Sequence, residues 1–532
     1  MKRIITVIIS LIYAATLHAS ETGQQPAIDA AWFKAHYVKN EYMIPMRDGI
    51  RLYTAVYTPK NRRSHHPILL TRTPYGCGPY GRRNASFWQQ AIFEDYLRAD
   101  YIIVFQDVRG RWRSEGEFVN IRPYVADKSS GAIDESSDTY DTVEWLLRKL
   151  KRHNGRVGVF GNSYSGFYAL MAAASGHPAI RAVSPQAPIC DWFLGDDFHH
   201  NGALALSDAV GFLPNFGTAA RTKPTDRPEP FDTPVKGNPV EYLHDNTVAD
   251  ITRALDGSIP FWDEMAAHPD YDSWWQQRSA LNATHDIRPA ILMVGGLFDA
   301  EDLYGTWNIY RAIRQNNPQT DCRIVVGPWT HGAWRSNGDA NAVGHIRFSE
   351  ESLSQFYRRQ VEFPFFDHYL RDAEHSGATT TGALIFFSGE NCWREMEGWD
   401  PENQSRPHTL YLAEGGSLTT APSDISEAYS FYISDPNDPV PYYPDMPWPR
   451  RKEYMTVGQE FLDGRHDVLT FLSPRLENDM AVIGPIDVTL HAAISTTDAD
   501  FVVKIIDVGP DGEYEMMVRG DIMRGRYRNC FS

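Results

Sequence analysis

The chain has 532 residues, 42% of them hydrophobic and 13% aromatic, which supports two or three packed domains and excludes wholesale disorder. Its 51 basic and 68 acidic residues leave a formal charge of −17, which argues against nucleic acid or an anionic membrane as partner, because both select a basic surface. The five cysteines, Cys77, Cys190, Cys322, Cys392 and Cys530, are widely spaced without a C-x-x-C pair, which argues against a zinc site or a dense disulfide framework.

At the N-terminus, Lys2 and Arg3 precede an apolar run from Ile4 to Leu17, and small residues Ala19 and Ser20 follow. That is the pattern of a secretory signal peptide, residues 1–19, with a run shorter than the roughly 20 residues needed to span a bilayer. The expectation is an exported protein, periplasmic or secreted, free of the membrane after cleavage.

Residues 32–190 then alternate strand and helix signals. Pro67–Thr73 and Tyr101–Gln106 are short apolar runs suited to strands buried on both faces, and 138–150 carries Tyr140, Val143, Leu147 and Leu150 on one side of a helix. Arg156–Phe160 predicts another strand, followed by a turn and an alanine-rich helix over 164–175. Residues 191–285 break this rhythm with a stretch rich in Asp, His, Trp and Pro, which predicts a helical cap over the active site. Strands return at 290–294 and 323–326 within a second α/β part, 286–378. From 379 to 532 the pattern is all-β, with strands expected at 383–387, 409–412, 430–433, 468–472, 486–493 and 501–508.

Gly161-Asn162-Ser163-Tyr164-Ser165-Gly166 places a G-x-S-x-G sequence between a buried strand and a helix. A serine on such a turn is pushed out of the sheet edge, and its weakly nucleophilic hydroxyl needs a base and a group to orient that base. The partners are expected in the order Ser, acid, His, each just past a strand. Asp299 and His331 meet that rule, with Asp302 as an alternative acid; of the 18 histidines, His331 alone follows a strand downstream of a strand-end acid. No metal-ligand cluster, P-loop or dinucleotide fingerprint appears, so no cofactor is expected.

The segments IPMRDGIRL, TRTPYG, FQDVRGRWRSEGEF, DTVEWL, NGRVGVFGNSYSGF, GLFDAEDLYG and GPWTHGAW resemble, in order, those of one group of serine hydrolases. That group contains α-amino-acid ester hydrolases, glutaryl-cephalosporin acylases, cocaine esterase and Xaa-Pro dipeptidyl-peptidases. GDD in the cap, DAED after the acid strand and RGRYR near the end point to the α-amino-acid ester hydrolase branch. The resemblance implies an α/β-hydrolase fold with an inserted cap and a C-terminal jelly-roll-like β domain. In the family that domain continues well past RGRYR, so here an incomplete sandwich with an exposed edge and core face is expected. It also implies an oxyanion hole from the Tyr75 hydroxyl and the Tyr164 N–H, and an ammonium site from Asp197, Glu301 and Asp302.

The function so implied is hydrolysis or acyl transfer of amino-acyl esters, amides or short peptides, including β-lactam side chains, through an acyl-enzyme on Ser163. A Xaa-Pro dipeptidyl-peptidase and a general carboxylesterase are the enzymatic alternatives. A glutaryl-type acylase fits less well, since three carboxylates repel an anionic acyl chain. A carbohydrate-binding or adhesion protein with a vestigial hydrolase is the non-enzymatic one. The partner expected is a small amino-acyl or peptide substrate, and a homo-oligomer is left open.

Overall fold

A computed structural model describes residues 26–531 apart from 217–224, 226–234, 236, 372–381, 426, 427, 446, 447, 449, 511, 513 and 514. The expected signal peptide lies outside the described residues. No helix among those described is long and apolar enough to cross a membrane.

Ten strands form the central sheet: β1 (Tyr37–Pro45), β2 (Arg51–Pro59), β3 (His66–Thr73), β4 (Ile102–Asp107), β5 (His153–Asn162), β6 (Ile180–Gln186), β7 (Ala290–Gly296), β8 (Cys322–Gly327), β9 (Ala383–Phe387) and β10 (Cys392–Met396). Their spatial order is β1-β2-β4-β3-β5-β6-β7-β8-β9-β10. β2 is antiparallel to both of its neighbours, β1 and β4, the run from β4 to β9 is parallel, and β10 closes the far edge antiparallel. This is the α/β-hydrolase order.

Successive residues of the inner strands feed opposite cores, so Ile68 and Leu70 pack on one face while Leu69 packs on the other. Helices α1 (Glu135–Lys149), α2 (Tyr164–Ala173) and α3 (Leu303–Asn316) cover the first face, and α4 (Phe363–Arg371) covers the second. That double cover explains why β3 and β7 are buried at every position. Helix α1 begins three residues before the expected start at 138 because Asp134 caps it, accepting the Ser137 N–H at 2.8 Å while Ser137 Oγ accepts the Asp134 N–H at 3.0 Å.

The cap carries short helices at Leu206–Phe212, Pro239–Asp245, Val248–Leu255, Pro260–Ala267 and Ser273–Arg278, closed on buried Trp192, Phe198, Trp262 and Trp275. Asp196 ties it to the body. One carboxylate oxygen accepts the N–H groups of Cys190 (2.8 Å) and Asp191 (3.0 Å), and the other accepts that of Gly305 in α3 (2.9 Å).

Toward the C-terminus the strand expected at 383–387 forms, but as β9 of the central sheet rather than as the start of a separate β layer. A hairpin joins Tyr411–Ala413 to Ser417–Thr419, and β11 (Asp500–Val508) pairs with β12 (Glu515–Arg524). The segments 430–433, 468–472 and 486–493 form no ladder, apart from an isolated bridge between Ser417 and Leu472. Phe431 and Ile433 stay 78% and 79% exposed. Alternating hydropathy reports an extended chain with one apolar side; it does not encode which strand, if any, lies beside it.

The contact of α3 with the segment that leads into the cap is close enough to test. A Cβ on Gly305 would lie 2.0 Å from the Pro188 carbonyl oxygen, so Gly305→Ala forces the two segments apart. Overpacking of this kind costs about 1–3 kcal/mol, and the melting temperature should fall by several degrees. Gly389→Ala, where a Cβ meets nothing within 4 Å, should leave it unchanged.

Candidate active site

Four strands deliver the candidate residues to one edge of the sheet: β3 leads to Tyr75, β5 to Ser163, β7 to Asp299 and β8 to His331. Ser163 sits at the apex between β5 and α2 with φ 62° and ψ −127°, a left-handed conformation that costs an L-residue roughly 1–3 kcal/mol. The flanking glycines make the turn feasible. A Cβ on Gly161 would lie 2.0 Å from the Ser165 carbonyl oxygen, and one on Gly166 would lie 2.6 Å from that of Gln186. The Gln186 carbonyl also accepts the Ser163 N–H at 2.9 Å, which pins the apex to β6.

Asp299 Oδ2 lies 2.9 Å from His331 Nδ1, and its Oδ1 accepts the N–H groups of Glu301 (2.8 Å) and Asp302 (3.1 Å). Burial alone would raise the Asp299 pKa, but the imidazole and these N–H groups hold it below the usual carboxylate value. For His331, burial opposes the charged form, yet the carboxylates of Asp299 and Glu301 outweigh it and push the pKa up to about 9.

The second acid candidate has a different neighbour. Asp302 is fully buried and its Oδ2 accepts the Ser163 hydroxyl at 3.3 Å. The outer nitrogen of His331, Nε2, is 3.5 Å from Glu301 Oε2 and 3.9 Å from Asp302 Oδ2. Among the described residues no hydrogen bond joins Ser163 Oγ to His331.

Asp197 reaches the same place from the cap. Its backbone takes φ 49°, its N–H donates to the Glu301 carbonyl at 3.0 Å, and its Oδ2 accepts the Trp192 indole N–H at 2.6 Å. Burial and then the Glu301 charge raise the Asp197 pKa to about 6. Asp302 is raised well above the carboxylate range by burial and then by Asp197. Like charges this close do not both ionise freely. Asp197, Glu301 and Asp302 therefore converge on one acidic pocket beside Ser163 and His331.

Tyr75 has an exposed ring, but its hydroxyl lies among polar groups: burial and Asp197 raise its pKa, while a hydrogen bond with Ser163 opposes them. Tyr164 is the first residue of α2, where N–H groups have no partner within the helix. Its phenol is engaged elsewhere, accepting the Ile121 N–H at 2.7 Å and donating to Asn120 at 3.1 Å.

Two features escape a strand-and-motif reading. The first is the support under Tyr75: Arg111 Nε (3.1 Å) and Trp112 Nε1 (2.9 Å) both donate to the Pro74 carbonyl, and buried Asp107 accepts the Cys77 N–H at 2.7 Å. Asp107 ends a buried strand, the same cue that marks Asp299, and could have been found that way. The second is Arg450, which donates to the Ala300 carbonyl at 3.0 Å and lies 3.5 Å from Asp208 and 3.9 Å from Glu301. Nothing in its local sequence signals that reach.

With this geometry in hand, residues 48–333 match the X-Pro dipeptidyl-peptidase (S15 family). The chain belongs to the S15 family. Residues 369–531 of this S15 protein match the X-Pro dipeptidyl-peptidase C-terminal non-catalytic domain. It is 30% identical over 516 residues to cocaine esterase of Rhodococcus sp. (strain MB1 Bresler), covering 92% of this chain and 83% of that protein. Among solved structures it is similar to an α-amino acid ester hydrolase, with a TM-score of 0.82, 32% identity and coverage of 97% of this chain and 86% of the other. An aminopeptidase from the marine sediment archaeon Thaumarchaeota archaeon gives a TM-score of 0.80 at 32% identity, covering 96% and 85%. The S15 protein is thus a serine hydrolase of esterase or X-Pro dipeptidyl-peptidase type.

The shifted imidazole has a consequence for stability. Because its folded pKa is raised to about 9, His331 contributes stability that is complete below its unfolded value of roughly 6.5 and lost as pH rises through about 9. The melting temperature of the wild-type protein should therefore fall more steeply between those limits than that of His331→Gln. Parallel slopes in calorimetry would show that the imidazolium adds nothing to the fold.

Proposed function

We propose that this hydrolase cleaves esters or amides of α-amino acids, taking their free ammonium on Asp197, Glu301 and Asp302 and forming an acyl-enzyme on Ser163. The observation that carries this reading is the convergence of the three carboxylates beside the nucleophile, two of them buried where they attract a compact cation. The α-amino acid ester hydrolase and the aminopeptidase, each similar over most of both chains, are named for substrates or activities of this class.

In the reaction, His331 Nε2 takes the Ser163 proton as Oγ bonds to the acyl carbon, and Asp299 holds the imidazolium through Nδ1. The developing oxyanion accepts from the Tyr75 hydroxyl and the Tyr164 N–H; such donors contribute about 3–4 kcal/mol each. As the tetrahedral adduct collapses, His331 returns the proton to the leaving group. Water then repeats the sequence, and release of the acid restores Ser163.

The identity to cocaine esterase favours a second reading, a general carboxylesterase indifferent to the amine. Export, read from the basic, apolar and small residues of 1–20, belongs to the proposal as well.

Ser163→Ala should abolish turnover, and a fluorophosphonate adduct should map to Ser163. Loss of one charge-assisted hydrogen bond costs about 1.5–3 kcal/mol. Glu301→Gln should accordingly lose roughly tenfold or more in kcat/KM on phenylglycine methyl ester, without slowing phenylacetic methyl ester. Equal rates on the two esters, both indifferent to Glu301→Gln, would establish the general esterase instead.

A further inference from the structure

The carboxylates of the pocket do more than wait for a cation. Ser163 Oγ donates to Asp302 Oδ2 at 3.3 Å, while His331 Nε2 faces Glu301 Oε2 at 3.5 Å and Asp302 Oδ2 at 3.9 Å. Nε2 is the nitrogen that must accept the serine proton, and a carboxylate beside it favours its keeping a proton of its own. Both halves of the nucleophile–base pair are thus engaged by the same acidic loop. The charged and titratable groups around this imidazole are Asp299, Glu301 and Asp302 on that loop and Asp197 from the cap, while Tyr75, from the loop after β3, faces Ser163 and the same carboxylates. Arg450 and Asp208 flank the far side of Glu301.

We propose that Glu301 and Asp302 hold Ser163 and His331 apart in the free enzyme, and that the substrate's own α-ammonium releases them by drawing both carboxylates onto itself. The idea rests on the ammonium-binding reading above and deepens it: the carboxylates select substrates through the protonation of the base as well as through binding. No covalent bond changes in the release. One ammonium enters, and one proton leaves Nε2 for solvent. The neutral imidazole keeps its Nδ1 proton on Asp299, and the Ser163 hydroxyl turns from Asp302 to the vacated Nε2 lone pair.

The electrostatics agree in sign. With the His331 pKa raised to about 9, only about one free enzyme in a hundred holds a neutral base at pH 7. A positive charge seated between Glu301 and Asp302 opposes the imidazolium and lowers that pKa. An ester without a cation meets an acid where it needs a base. Arg450 lies 3.9 Å from the other carboxylate oxygen, Oε1, and competes with the imidazole for the Glu301 charge.

The test follows phenylacetic methyl ester, which has no amine, from pH 6 to 10. Three samples are compared: wild type, wild type with methylammonium chloride against sodium chloride at equal ionic strength, and Glu301→Gln. The wild-type kcat/KM should climb to a plateau above pH 9. At pH 7 methylammonium should raise it severalfold, and Glu301→Gln should raise it severalfold while moving the profile to lower pH. Because Glu301 is partly exposed, the variant should melt as wild type does. No gain in either arm overturns the proposal, and where the arms disagree the variant decides. A variant that loses on phenylglycine methyl ester yet gains nothing on the phenylacetic ester leaves ammonium binding standing without the release. A variant unchanged on both esters removes the binding reading as well.

Discussion

The site is governed by crowding of negative charge around one imidazole. Asp299, Glu301 and Asp302 leave a single short loop, Asp197 arrives from the cap, and His331 is the cation they share, with Arg450 at the margin. Each carboxylate placed there raises the free energy of the next, so the protein spends much of its local structure keeping them tolerable. Backbone N–H groups stabilise Asp299, the Trp192 indole stabilises Asp197, and the upward shifts of Asp197 and Asp302 record what remains unrelieved. A pocket under that strain lowers its free energy when positive charge enters it, the premise of the proposed ammonium site.

Holding the carboxylates together depends on elements far apart in the chain. Asp196, one residue before Asp197, clamps the start of the cap to α3, and the Asp197 N–H binds the Glu301 carbonyl. The cap is therefore a wall of the site fastened at the loop that carries the acids. On the other side, the bond from the Ser163 N–H to the Gln186 carbonyl fixes Ser163 to β6. The loop and the turn are thus each held by a backbone hydrogen bond from another segment.

Much of this was legible in the sequence, for physical reasons that differ by residue. Ser163, Asp299 and His331 each follow a strand so apolar that both its faces must be covered, and in such a sheet the ends of the strands come together. In the sequence Asp299 is favoured over Asp302 only because it stands first beyond the strand. They stand three residues apart in one loop, and the backbone path alone decides that one faces His331 Nδ1 and the other the Ser163 hydroxyl. The segments 430–433 and 486–493 misled for another reason: their alternation describes a face, while a strand requires a neighbour. Arg450 was beyond local reading, since its partners lie on Ala300, Glu301 and Asp208.

Arg450 belongs to the stretch that matches a non-catalytic domain, yet its guanidinium stands against the carbonyl between Asp299 and Glu301. Among the side chains that cross between the two matched regions, this one reaches the acidic loop. An S15 chimera that exchanged this C-terminal region for a relative's would take whatever that relative carries in place of Arg450 at the rim of the acidic pocket, with Ser163, Asp299 and His331 untouched. Substrate range in such a lineage could then drift by recombination at a domain border, without a substitution in the sheet.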